Sequence, residues 1–465
     1  RRCVWGLCVA LGASQASGAA PAGASAPVDE RAGERRCRGP DGEAWETVTG
    51  RTFAEQSGDV ALGVPTAPGA RACTIAPTRV EWLSAALGIQ AAGGVMVPIY
   101  GSSTAEQAAY VVGHSGAKVL FVDTAPLIDR IVEAAEHCAD VDAFVVFEDG
   151  LAGRLRAGFE ERVPALAKRV LTWSMLRAKG AAVAAEDPGA LDAKLSAIEL
   201  DQPAIMLYTS GTSGPPKGVP LTHRNVGVNG RDWLENNADR LDEGAVDLLW
   251  LPMSHIFGYG EAGAGNQLGW VSYLSDPKQV MDDLPRVRPH VFMSVPSVWE
   301  KLATWSQKAP DAAAEFARVT GGRLRFCLSG GAGLDRGVKD FFFAQDVLLL
   351  EGYGLTECSP TLTLNRPGAF RFDSVGKPFP SVELKLGDDG EILARGPSIF
   401  GGYHDNPEAT AAAFDEDGFF RTGDLGRFTE DGFLQIIGRK KDILVTAGGK
   451  NVAPTNIETR IAYDP

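Results

Sequence analysis

The sequence predicts an α/β protein in which parallel strands alternate with helices and a smaller β-rich stretch follows. Three observations predict it. Short apolar runs recur at 95–99, 118–123, 143–147, 247–251, 291–295, 325–329 and 347–350, and the last four each end in a loop rich in Gly, Ser or Pro. Ala-rich segments of helical character lie between the early runs. After Lys377 the texture changes to alternation of apolar and polar residues with period two. Continuous apolar runs mark strands buried on both faces, as in parallel sheets, whereas alternation marks half-exposed antiparallel strands.

Taken in order, the chain opens on Arg1-Arg2 and a short apolar stretch, Val4–Leu11, which imitates a secretory signal but has no initiating Met, and so reads as an upstream remnant. Residues 12–44 are rich in Ala, Gly, Pro and Arg and offer little periodic apolar surface to offset ordering entropy. Residues 1–44 are therefore expected to be weakly ordered. Trp82–Ala92 reads as a helix and Val95–Ile99 as a strand; Ser103 and Glu106 then form a capping box for a helix to Gly113. Lys118–Asp123 and Ala143–Phe147 repeat the buried-strand signal. Beyond Lys377, Val382–Leu386 alternates, Asp389-Gly390 marks a turn and Glu391–Ala394 supplies the partner of a hairpin. Phe433–Ile437 and Ile443–Val445 read as a further strand pair about the charged turn Gly438–Asp442, a natural domain boundary. The organisation expected is a large domain over 45–438, with its β-rich part at about 377–438, and the start of another domain at 439–465.

Composition narrows the function. With 465 residues, 45% hydrophobic and 22% charged, the chain can bury a sizeable core. A net charge of −14 argues against a nucleic-acid surface, which needs clustered Lys and Arg. The seven cysteines are scattered, without a CxxC pair, so they support neither a disulfide framework nor a zinc site and fit a reducing compartment. No apolar run reaches 18 residues, so any membrane contact is expected to be peripheral.

The most informative stretch is Tyr208-Thr-Ser-Gly-Thr-Ser-Gly-Pro-Pro-Lys-Gly218, placed behind the apolar run 203–207. Gly211 and Gly214 allow close backbone approach, Thr209, Ser210, Thr212 and Ser213 supply hydroxyls, and Lys217 a positive charge. That inventory suits a polyphosphate. It is not a Walker loop, because Pro216 and Gly218 flank the lysine where Gly and Ser or Thr are required, and a phosphotransferase is correspondingly the weakest reading.

Four segments in this order, namely 208–218, Glu351–Glu357 (EGYGLTE), Arg421–Asp424 (RTGD) and Gly438–Asp442 (GRKKD), resemble the motifs of the adenylate-forming superfamily. The match extends over most of residues 80–465. Within the superfamily, LPMSHIFG from Leu251, the stretch Val287–Lys301, and the stretch from Arg439 to Pro454 are similar to long-chain acyl-CoA synthetases. The resemblance implies a large domain of stacked sheets and helices followed by a mobile α+β domain. It implies that a carboxylate is activated by ATP to an acyl-adenylate, with Mg²⁺, and that the acyl group then passes to coenzyme A. The substrate implied is a medium-to-long-chain fatty acid.

Roles follow residue by residue. Thr209, Ser210, Gly211, Thr212, Ser213, Gly214 and Lys217 would close over the β- and γ-phosphates, and His255 would lie near the carboxylate and α-phosphate. Gly330, Gly331 and Ala332 would line the adenine and acyl pocket, and Tyr353, between Gly352 and Gly354, would stack on adenine. Thr356 would meet the α-phosphate, Glu357 and Thr209 would hold Mg²⁺, Asp424 and Arg439 would bind ribose, and Lys441 would be the hinge. The set implied as catalytic is Lys217, His255, Thr356 and Glu357. In the resembled family the adenylation Lys lies far into the last domain, so it is expected beyond Pro465, and the span Lys301–Arg325 is shorter than long-chain members usually carry. Two alternatives stay open: a ligase that loads a carrier protein, and a fragment that binds ATP and acid with little turnover. A cytoplasmic location is expected, and the oligomeric state is left open.

Overall fold

A computed structural model describes residues 33–38, 44–209, 214–237, 241–442, 444–445 and 451–452. It forms two compact units, one taking the chain up to Gly227 together with Asp242–Val280, the other Val228–Leu241 together with the chain from Met281. The single large domain expected over 45–438 is thus divided in two.

In the first unit, β1 (Arg35–Arg38) and β2 (Trp45–Val48) precede β3 (Arg71–Ile75), β4 (Val95–Ile99), β5 (Val119–Val122), β6 (Ala143–Val146) and β7 (Val170–Thr172). β8 (Pro203–Thr209), β9 (Lys217–Thr222), β10 (Val246–Leu249) and β11 (Val271–Leu274) follow. Seven of these make a sheet in the order β7-β6-β5-β3-β4-β8-β9, parallel except for the β8–β9 hairpin. Its central strands include apolar runs of the sequence: every residue of β4, β5 and β6 is buried. Each Val, Ile or Phe so buried contributes about 1.5–3 kcal/mol relative to exposure, which is why these runs become strands covered on both faces. β10, β11, β1 and β2 lie side by side in that order, β1 parallel to β11 and antiparallel to β2. Arg35–Arg38 therefore corrects the expectation of weak order for 1–44, because backbone pairing with β11 orders a segment too polar to signal itself. Residues 1–32 lie outside the described residues.

The helix Ala105–Ser115 shows a second correction. The expected capping box, Ser103 with Glu106, is not the one formed; the helix is capped one residue later by Thr104 with Gln107. Thr104 Oγ1 accepts from Gln107 N at 3.2 Å and Gln107 Oε1 accepts from Thr104 N at 2.9 Å. Ser103 N instead donates to Tyr100 O in the preceding turn. The turn fixes which hydroxyl is left to cap.

In the second unit, β12 (Val291–Ser294), β13 (Phe326–Ser329) and β14 (Leu349–Gly354) are parallel, and β15 (Thr361–Leu364) and β16 (Lys377–Pro378) continue the sheet antiparallel. β17 (Glu383–Leu386), β18 (Glu391–Arg395), β19 (Phe420–Phe428) and β20 (Leu434–Arg439) form an antiparallel sheet in chain order, with the expected hairpin at Asp389-Gly390. It packs on a small core of Val375, Ile392 and Leu434, against which Tyr353 also lies. The expected pairing across the charged turn is corrected. β20 runs on through Gly438 and Arg439 and pairs with β19, while β21 (Leu444–Val445) pairs with β22 (Asn451–Val452). The fold class, a mixed α/β protein with a small antiparallel part, is as the sequence predicts. Among the described residues no helix is long and apolar enough to cross a membrane.

Candidate active site

In the first unit the Gly- and Ser-rich stretch 208–218 belongs to the β8–β9 hairpin. Ala204–Leu207 is buried, and the last register pair sets Thr209 opposite Lys217. Ser210, Gly211, Thr212 and Ser213 lie outside the described residues. Gly214 has φ +105°, a conformation open to glycine, and a Cβ there would meet nothing within 4 Å. The base of the hairpin is braced by the helix Ala105–Ser115. The Tyr110 hydroxyl donates to Pro216 O at 3.0 Å, and His114 Nδ1 and the Tyr208 hydroxyl share a hydrogen bond of 2.8 Å.

His255 is the N-cap of the helix Ile256–Leu268, where its Nδ1 accepts from Phe257 N at 3.1 Å. A nitrogen that accepts carries no proton, so the neutral ring holds its proton on Nε2. Although part of the ring reaches solvent, the packing around it removes hydration and lowers its pKa, which favours that neutral form.

In the second unit the candidate residues from Gly352 to Glu357 stand on one strand and the loop beyond it. β14 begins buried with Leu349–Glu351 and emerges at Gly352 and Tyr353. The chain then closes into a short turn, Thr356–Cys358. Gly354 has to be glycine: a Cβ would sit 1.8 Å from Pro360 O. Three anchors hold this stretch. Glu351 is buried, its Oε2 bonded to Lys339 Nζ at 2.6 Å and its Oε1 accepting from Leu334 N at 2.9 Å. Leu334 ends the Ser329–Gly333 turn, so this carboxylate ties Gly330, Gly331 and Ala332 to the strand that carries Tyr353. Gly330 N also donates to Ser294 O at 3.2 Å, while Gly331 and Ala332 are exposed. Asn229 grips the far end, its Nδ2 donating to Thr361 O at 2.7 Å and to Cys358 O at 3.4 Å.

The side chains that the resemblance assigns to adenine and ribose meet one another. The Tyr353 hydroxyl donates to Asp424 Oδ2 at 2.7 Å, and Arg439 Nε lies 2.8 Å from Asp424 Oδ1. Asp424 and Arg439 are register partners of β19 and β20, which puts them side by side. Burial pushes the Asp424 carboxyl above its ordinary value, against the hydrogen bond from Tyr353 and the charges of Arg439 and Lys441, which pull it down. Tyr353 is half-buried, and the loss of hydration around its hydroxyl together with the neighbouring Asp424 carboxylate pushes it well up, so that it stays protonated as the donor. Glu357 is buried; its Oε1 accepts from the Tyr403 hydroxyl at 2.9 Å and its backbone O from Phe400 N at 2.8 Å. Thr356 beside it is half-buried. Lys441 is exposed in the short turn Lys440–Asp442, while Lys440 is tied to Asp389 at 2.6 Å and Glu391 at 2.8 Å.

Of the predicted residues, then, the structure joins Tyr353, Asp424 and Arg439 directly, and sets Thr356 and Glu357 on the loop that Tyr353 begins. Sequence reasoning missed Tyr403, Asn229, Lys339 and Glu391. A lysine on the buried side of an amphipathic helix gave a faint signal for Lys339; the other three gave none. Among the described residues no group of three or more His, Cys, Asp or Glu could hold a metal ion, so a divalent cation here would draw most of its ligands from elsewhere. One carboxylate plus phosphate oxygens and water is the set a small hard cation favours. Glu357, with one carboxylate oxygen engaged by Tyr403, fits that set.

Known proteins are similar to this chain in sequence and in fold. The sequence matches the family described as AMP-binding enzyme over residues 24–404. It is 34% identical to long-chain-fatty-acid–CoA ligase FadD15 of Mycobacterium bovis, over 90% of this chain and 74% of that protein. Long-chain-fatty-acid–CoA ligase ACSBG2 of Xenopus laevis is 27% identical over 90% of this chain, which spans 62% of that longer protein. Among solved structures, ATP-bound MatB from Rhodopseudomonas palustris superposes with a TM-score of 0.72 at 25% identity, covering 94% of this chain and 81% of that one. A chain that keeps the pattern over most of its length, and sets its loops on this fold, belongs to the AMP-binding enzyme family.

Proposed function

We propose that the protein is an ATP-dependent ligase that converts a medium-to-long-chain fatty acid to its acyl-adenylate and passes the acyl group to coenzyme A. The observation that supports this most is the loop Gly352–Glu357. It offers a ring, a hydroxyl and a buried carboxylate in one short stretch, with the Asp424–Arg439 pair bonded to the ring's own hydroxyl. A nucleoside monophosphate asks for those groups: a flat face for the base, an acceptor and a donor for ribose, and a hydroxyl for phosphate. In this reading Tyr353 stacks on adenine, with Gly352 and Gly354 allowing its approach, and Asp424 and Arg439 take the ribose hydroxyls. Thr356 donates to the α-phosphate, and Gly330, Gly331 and Ala332 admit the ligand closely. In the first unit Thr209, Lys217 and the loop between them serve the outer phosphates. His255 offers its Nε2 proton to the carboxylate or α-phosphate, and Lys441 is the pivot for the chain on its C-terminal side.

Activation is needed because a carboxylate would have to expel oxide to acylate a thiol, whereas AMP leaves readily. Mg²⁺, held by Glu357, would neutralise charge on the phosphates when bound. The fatty substrate is supported by the names that FadD15 and ACSBG2 carry. The test supplies the chain with Mg-ATP, fatty acids of graded length and coenzyme A, and follows pyrophosphate and free thiol. Acid-dependent pyrophosphate release with matching thiol loss, greatest for the medium and long acids, is expected. Pyrophosphate release without thiol loss would assign the acyl group to a carrier protein instead. ATP binding with no pyrophosphate release would leave a binding protein and sink the proposal.

A further inference from the structure

We propose that Tyr403 is a positioning residue that fixes Glu357 for its cation; this rests on the reading of Glu357 as the Mg²⁺ ligand. Tyr403 lies 46 positions along the chain from Glu357, yet its hydroxyl donates to Glu357 Oε1 at 2.9 Å. The same short segment reaches the loop a second time, since Phe400 N donates to Glu357 O at 2.8 Å. Backbone and carboxylate of one residue are thus held together from one side. In this reading the oxygen anchored by Tyr403 leaves its twin, Oε2, to the cation.

Tyr403 is itself fixed. Its backbone N donates to Thr410 Oγ1 at 2.9 Å, and its ring packs edge-on against Phe400 with centroids 4.9 Å apart. Phe400 is fully buried, and its ring stacks on Phe414. On the other side of the loop, Asn229 holds Cys358 and Thr361. A carboxylate on a loop clamped at both ends has little rotation left except about its own side chain, and Tyr403 removes that. Losing a partner that orients a metal ligand in this way typically costs about 10- to 100-fold in metal affinity.

The test is Tyr403→Phe, which keeps the ring and its packing and removes only the hydroxyl. ATP binding is measured by calorimetry over stepped Mg²⁺ concentrations, and again in a chelator with no divalent cation, together with the thermal midpoint. The Mg²⁺ concentration for half-maximal enhancement of ATP binding should rise about tenfold, while metal-free ATP binding and the midpoint stay near those of the parent. An unchanged Mg²⁺ requirement overturns the proposal. So does a loss of metal-free ATP binding equal to the loss with Mg²⁺, because that is what a merely structural tyrosine would give. Glu357→Gln in parallel separates the two levels. If it raises the Mg²⁺ requirement and Tyr403→Phe does not, the positioning role alone is wrong; if Glu357→Gln has no effect either, the metal reading of Glu357 falls with it.

Discussion

Two carboxylate–cation pairs in the second unit look alike in outline and differ in what they can do. Lys339–Glu351 and Arg439–Asp424 each set a cation against an acid, and in each the acid takes one further hydrogen bond, from Leu334 N or from the Tyr353 hydroxyl. Both side chains of the first pair are 5% exposed, whereas in the second Arg439 is 49% exposed and Asp424 6%. A pair dry on both sides has no route to a ligand, and its work is to lock the Ser329–Gly333 turn to β14. A pair with one partner in water can exchange it for ribose at modest cost. Exposure of a single side chain thus separates the anchor from the binding group.

The sharpest way to break that comparison is to remove one partner of the dry pair. Lys339→Met leaves the Glu351 charge buried and unpaired, and should cost about 3–5 kcal/mol of stability in denaturant unfolding. Adding Glu351→Gln, which keeps an acceptor for Leu334 N, should restore most of the loss. A cost under about 1 kcal/mol for the single variant would mean that the pair is not an anchor.

The exposed pair should answer in binding instead. On the proposed function Asp424→Ala would remove an acceptor for both ribose hydroxyls and should weaken ATP binding by about 10- to 100-fold, the range for a hydrogen bond to a charged group. Tyr353→Phe, losing a neutral hydroxyl but keeping the ring, should weaken it by about 2- to 10-fold. Isothermal titration with ATP decides the order. Equal losses would point to the tyrosine's role in holding Asp424 rather than to stacking.

The smallest effect is on pH dependence. Burial raises the native pKa of Asp424 above its ordinary 3.8, so between that value and the native one the folded protein binds more protons than the unfolded chain. Stability contributed by this group is then greatest below that window and falls as pH rises through it. Asp424→Asn cannot titrate and should flatten this part of the curve. Denaturation midpoints of parent and variant across that window would show it, and parallel curves would contradict the raised value.

Much of this molecule could be read from its sequence. The apolar runs gave β4, β5, β6, β10, β12, β13 and β14, because a strand covered on both faces has no other composition available. Period two and Asp389-Gly390 gave the β17–β18 hairpin. The loop Gly352–Glu357 was picked out by its resemblance to known motifs, and the structure adds that Gly354 leaves no room for a side chain. Local pattern failed where two local solutions competed, as at Thr104 and Ser103, or where pairing with a distant strand ordered a polar segment, as in β1.

What the sequence by itself determined is the succession of buried strands and the chemical equipment of the loops between them, since burial and turn formation act on neighbours along the chain. Tertiary structure alone decided how that equipment is held. The Tyr403 hydroxyl reaches Glu357 over 46 positions, and that of Tyr353 reaches Asp424 over 71. No local period constrains such a pair, because a hydrogen bond depends on distance and angle in space, and those exist only once the sheets have brought the two segments together.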